Sequence, residues 1–112
     1  MHKHLQLALL YMDIFYGEKD LKDLENILDE NLMFNGPFFT FHSSEAYINS
    51  LIKDPPVDCS FSLIKSYVDG DSVLLLYDFQ KGEIRTPISQ YFLIKKGKIS
   101  RIQLIFNAKD FD

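Results

Sequence analysis

Residues 72–106 read SVLLLYDFQKGEIRTPISQYFLIKKGKISRIQLIF, and this stretch decides the fold class. Turn signals at Lys81-Gly82 and Lys96-Gly97 cut it into three runs, and Asp69-Gly70 separates it from a fourth run upstream. Glycine readily takes the positive φ that tight hairpins need, so each signal predicts antiparallel neighbours. The predicted strands are 60–68, 72–80, 83–94 and 98–106. In the second, Val73, Leu75, Tyr77 and Phe79 alternate with Leu74 and Leu76; in the third, Ile88, Phe92 and Ile94 alternate with Tyr91 and Leu93. Both faces of the sheet are then apolar, unlike an antiparallel sheet with one side in water. Such a sheet needs two covers.

One cover lies upstream. Leu5, Ala8, Leu9, Met12 and Phe15 recur at helical intervals, and Leu7, Leu10, Tyr11 and Ile14 widen the stripe. Leu21, Leu24, Ile27 and Leu28 repeat the pattern behind an Asp20 cap. Tyr47, Ile48, Leu51 and Ile52 repeat it between a Ser43 or Ser44 cap and the Pro55-Pro56 pair. Three helices are therefore expected before the sheet. Between the second and third come an extended segment Leu32-Met33-Phe34, the turn Asn35-Gly36-Pro37 and an aromatic loop with Phe38, Phe39 and Phe41. The economical supplier of the second cover is another copy of the chain.

The remaining composition narrows the partners. At 112 residues, 46% of them apolar, the chain suits one domain that builds its core without disulfides or a structural metal. Sixteen acidic against twelve basic residues give a net charge of -4, which repels phosphate backbones and anionic headgroups, so neither nucleic acid nor membrane is an expected partner. No apolar run approaches the roughly 20 residues that span a bilayer. The lone Cys59 cannot pair within the chain and no signal peptide is recognisable, so the expected location is cytoplasmic.

Five pieces in order carry a resemblance: LLYMDIFY at 9–16, Asp20-Leu21, LMFNGP at 32–37, SEAYI at 44–48, and TPISQYF at 86–92 followed by Gly97-Lys98-Ile99. Together they cover nearly the whole chain, which resembles the cone-shaped, cystatin-like α+β fold of nuclear transport factor two, ketosteroid isomerase and the SnoaL-like polyketide cyclases. The resemblance implies a single domain over 1–112, with three N-terminal helices packed on a strongly curved, mixed, mostly antiparallel β-sheet. It implies an elongated apolar pocket between helices and sheet, and a homodimer through the other sheet face, here assigned Phe92, Ile94 and Ile105. Enzymes of that group carry pocket acids just before the proline of the first short strand and after the Thr-Pro step. This chain has Gly36, preceded by Asn35, at the first place and Ser89 at the second, so isomerase-type carboxyls are missing.

Pattern and resemblance together nominate Tyr11, Phe15, Phe34, Asn35, Tyr47, Leu51, Tyr77, Ser89, Tyr91 and Phe106 as pocket residues. The tyrosines join an aromatic body to a polar tip, which suits gripping an apolar ligand that carries an oxygen or two. Asn35 equally suits the Asn-Gly-Pro turn. If Lys81-Gly82 is a two-residue hairpin, Asp78 faces Arg85 near the pocket mouth. That pair reads either as a structural ion pair or as a polar ligand contact, and supplies the only candidates for catalysis. His2 and His4 lack a third ligand, His42 sits in a loop without a nucleophile, and Cys59 has no basic neighbour, so neither a metal nor a cofactor is expected. Lys95, Lys96 and Lys98 crowd a hairpin tip, where solvated charge is normal. The expected function is binding of an apolar or aromatic small molecule, with isomerase, cyclase or hydrolase chemistry left open. The alternative is a non-catalytic protein-interaction module using Phe38, Phe39 and Phe41 as an anchor.

Overall fold

A computed structural model describes residues 2–17 and 19–111. Helix α1 spans Lys3–Tyr16, with His2 as cap, its ring accepting the His4 amide at 3.2 Å. A 3₁₀ helix, Leu21–Asn26, follows the Asp20 cap, which accepts the Lys22 amide at 3.0 Å. Strands β1 (Leu28–Asn35) and β2 (Thr40–Phe41) precede helix α2 (Ser44–Lys53), whose Ser43 cap accepts the Ala46 amide. Strands β3 (Cys59–Asp69), β4 (Ser72–Lys81), β5 (Ile84–Lys95) and β6 (Lys98–Ile105) then run in series, and a 3₁₀ turn, Ala108–Phe111, ends the described chain. The sheet order is β2-β1-β6-β5-β4-β3, with β1 parallel to β6 and every other pair antiparallel. The class is α+β with a mixed sheet.

Several expected details differ. The second helix is a single stretch of 3₁₀ structure rather than an α-helix, because β6 claims its end: the Ile99 amide donates to the Ile27 carbonyl at 2.8 Å and Leu28 lies opposite Ile99. From there the chain alternates as a strand, burying Leu32 and Phe34. The sheet is also not strongly curled. The hollow is walled by the sheet's inner face, α1, α2 and the 36–41 segment.

Side-chain direction follows the ladder. In β4, Val73, Leu75 and Tyr77 point inward, and in β5 Thr86, Ile88, Gln90, Phe92 and Ile94 do so. Phe92 and Ile94, expected on the outer face, are therefore core residues; Phe92 meets Tyr11 of α1 edge-on at 5.4 Å. The cause is register. Phe92 lies opposite Ile102 and Tyr91 opposite Gln103, and with a side-chain period of two one assignment fixes the whole strand. Ile105 does face outward and is 57% exposed. The β4–β5 turn also sits one residue later than expected: Lys81 pairs with Ile84, leaving Gly82-Glu83 as the turn, with Gly82 at φ +60. At Lys96-Gly97 both residues have positive φ, as the expected two-residue turn requires.

Candidate functional site

Between the inner sheet face and the helices lies a cavity of about 410 Å³. Helix α1 contributes Tyr11 and Phe15, four apart and so on one face, and Tyr16 from its last turn. Strand β1 contributes Phe34, stacked on Tyr47 of α2 with centroids 4.5 Å apart, and Phe41 leans on the same tyrosine at 5.5 Å. The sheet supplies Tyr77, Phe79, Ile88, Gln90 and Leu104, and Phe106 and Phe111 come from the segment after β6. Phe38 and Phe39, both exposed, line the rim with Lys53 and Asp54 from the end of α2. Those two exposed side chains are the only charged ones among the described lining residues.

The polar side chains inside the rim are four phenols, the Gln90 amide and the half-buried Ser50 hydroxyl, which donates to the Tyr47 carbonyl at 2.6 Å. The Tyr11 and Tyr47 hydroxyls share a buried hydrogen bond. Tyr77 donates its hydroxyl to Gln90 Oε1 at 2.7 Å and receives the longer hydrogen bond of Tyr16 at 3.4 Å. Gln90 is buried, and its amide oxygen satisfies a phenol that would otherwise be costly to enclose. Burial pushes all four phenols above the ordinary tyrosine range; hydrogen bonding to Tyr47 pulls Tyr11 part of the way back, and that to Tyr16 does the same for Tyr77. At neutral pH the inner cavity wall is therefore uncharged; the protons of Tyr77 and Tyr16 are already donated within the wall, and the Tyr11–Tyr47 pair, which uses one of its two protons internally, keeps the other for a ligand oxygen.

Of the residues nominated from sequence, Tyr11, Phe15, Phe34, Tyr47, Leu51, Tyr77 and Phe106 come together around this cavity. Asn35, Ser89 and Tyr91 do not. Asn35 follows Phe34 on the strand and so points away from it, pairing with Thr40 and Gln103. Ser89 and Tyr91 share the outer face; Ser89 lies between Leu76 and Ile105, and the Tyr91 hydroxyl bonds Ser72 Oγ at 2.9 Å. Asp78 and Arg85 are also on the outer face, and the displaced turn sets Asp78 opposite Pro87 and Arg85 opposite Gln80, so they are diagonal neighbours rather than a facing pair. No hydrogen bond or ion pair joins them among the described residues. Gly36 does line the cavity, with no side chain to offer, and its amide donates to the Phe39 carbonyl at 2.9 Å. Tyr16, Phe79, Ile88, Gln90, Leu104 and Phe111 line the cavity as well, outside the set the sequence nominates. Gln90 carried a signal, being a polar residue at the same parity as Ile88 and Phe92.

The structure is matched closely by solved proteins. One is an NTF2-like protein of unknown function from Cytophaga hutchinsonii, 24% identical, with a TM-score of 0.83 over 96% of this chain and 93% of that one. The chain has the NTF2-like fold. A candidate ketosteroid isomerase from Kribbella flavida superposes with a TM-score of 0.82 at 18% identity, over 94% of this chain and 78% of that one. A candidate SnoaL-like polyketide cyclase from Jannaschia does so at 0.81 and 10% identity, over 97% and 88%. No protein-family model matches the sequence, and no curated protein matches it. In this fold the two positions where the resemblance placed acids are a bare cavity wall at Gly36 and an outward side chain at Ser89.

Proposed function

We propose that this NTF2-like domain binds a neutral, flat, mostly apolar small molecule carrying an oxygen that accepts a hydrogen bond. The observation that carries this reading is the cavity of about 410 Å³ whose inner polar side chains are protonated phenols, one amide and one serine hydroxyl, none of them charged. Its volume is in the range of small-molecule sites, and a few convergent polar groups in an aromatic wall are what orients such a ligand. The reading does not include carboxylate chemistry of the isomerase type. Abstracting a proton requires a titratable base within hydrogen-bond reach, and the only lining carboxylate among the described residues, Asp54, is at the exposed rim.

The test is titration with prodan, a neutral naphthyl ketone whose fluorescence reports both polarity and hydrogen bonding to its carbonyl. Saturable binding is expected, weakened about tenfold by the double substitution Tyr11→Phe and Tyr47→Phe, which removes the one phenol proton not already donated within the wall. Absence of saturable binding by the folded protein overturns the reading.

The outer sheet face supports a second part of the proposal, a homodimer. Tyr67 and Ile105 are 54% and 57% exposed there, with the partly exposed Leu74, Leu76, Tyr91 and Leu93 between them. A second copy laid on this face covers them. Residence in a reducing, cytoplasmic compartment suits the unpaired Cys59, whose thiol burial pushes up and away from reactivity.

A further inference from the structure

We infer that the C-terminal turn is a latched strap that gates the cavity, with the Asp110–Thr86 hydrogen bond as the latch and Phe111 as the plug. The inference rests on the binding reading and adds how the ligand enters. After β6 the chain turns on Asn107, whose carbonyl accepts the Asp110 amide at 3.0 Å and whose side chain accepts the Lys109 amide at 3.1 Å. This turn delivers Phe111 into the cavity wall, edge-on to Phe106 at 4.9 Å and to Phe38 at 5.9 Å, and tilted against Phe79 at 5.7 Å. The Phe38–Phe111 contact joins the β1–β2 loop to the strap, so the exposed rim is a seam between two segments that belong to no long element.

Among the described residues, the strap has one polar tie to the sheet. Thr86 Oγ1 donates to Asp110 Oδ2 at 2.5 Å. Thr86 is 1% exposed on the inner face of β5, whereas Asp110 is exposed, so the tie has a buried half and a half that water can reach. A hydrogen bond to a carboxylate is strong enough to hold a single turn closed. When it breaks, the carboxylate is rehydrated and lifting Phe111 wets the hydroxyl, so neither group is stranded in an apolar setting. A short segment held by ring contacts and one such bond is the type that opens locally while the sheet stays intact.

The experiment uses the full chain and two readouts. In stopped-flow mixing with prodan, Asp110→Ala and Thr86→Val each raise the association and dissociation rates about fivefold while Kd stays within about twofold, and the double variant goes no further than either single one. Asp110 is exposed, so its variant keeps the fold. The second readout needs no affinity for any ligand. The chain contains no tryptophan, so tyrosine emission is visible, and acrylamide quenching of the cavity tyrosines rises in both variants. Unchanged quenching in both variants overturns the strap, whatever prodan does. Increased quenching without prodan binding supports the strap and overturns the ligand reading instead.

Discussion

Raising the pH should unfold this domain sharply, because of the four enclosed phenols. Burial holds Tyr11, Tyr16, Tyr47 and Tyr77 protonated above the ordinary range in the folded state. The folded chain thus binds those protons more tightly than the unfolded chain, in which a phenol titrates near about 10. The stability they confer is fully present below that value and is lost as pH climbs toward the folded values. At about pH 11 an unfolded phenol is ionised about nine times in ten, a gain for the unfolded state of about 1.4 kcal/mol. Four of them remove about 5–6 kcal/mol, which is comparable to the total stability of about 5–15 kcal/mol typical of a domain this size. Urea unfolding followed by circular dichroism at stepped pH measures this loss directly, and Tyr16→Phe should reduce its slope above about pH 10 by about a quarter. Flat stability from about pH 9 to 11 would refute the reasoning. So would tyrosinate absorbance from all six tyrosines growing in while the dichroism stays native.

Phe34→Ala removes a buried ring stacked on Tyr47 and should cost about 3–5 kcal/mol in urea unfolding; a loss below about 1 kcal/mol would mean the ring borders space the protein does not need to fill. Ile105→Asp should leave the fold intact and halve the mass seen by light scattering, and an unchanged dimer would show that the two copies meet elsewhere. Phe92→Asp, by contrast, buries a charge against Tyr11 and should yield insoluble or unfolded protein; a folded variant of native mass would contradict the inward placement of that residue.

The hairpins were legible because glycine marks them. Gly70, Gly82 and Gly97 all have positive φ, and each strand lies within a residue or two of where the turn signals placed it. The parity of β5 was harder to read, since Tyr91 and Leu93 are as apolar as Phe92 and Ile94, and a period of two carries no sign when both faces are apolar. The sign was available one strand away. Arg101 and Gln103 alternate with Ile102 and Leu104 in β6, and pairing Gln103 with Tyr91 turns Tyr91 outward. The 3₁₀ helix at Leu21–Asn26 was misread because Ile27 and Leu28 complete a helical stripe while β6 claims them, a tertiary contact that no local pattern contains. Tyr11, Tyr47 and Tyr77 were found from their aromatic bodies and polar tips, but their pairing into two hydrogen-bonded groups depends on how α1, α2 and the sheet are layered. Phe111 had no signal, because its role depends on where the chain turns after β6.

A crystal structure of the protein soaked with prodan tests the central claim most directly. The account predicts the naphthalene between Phe34 and the inner sheet face, with its ketone oxygen within hydrogen-bond distance of the Tyr11 or Tyr47 hydroxyl. A cavity closed up by its own aromatic side chains, or prodan bound only on the outer sheet face, would contradict it.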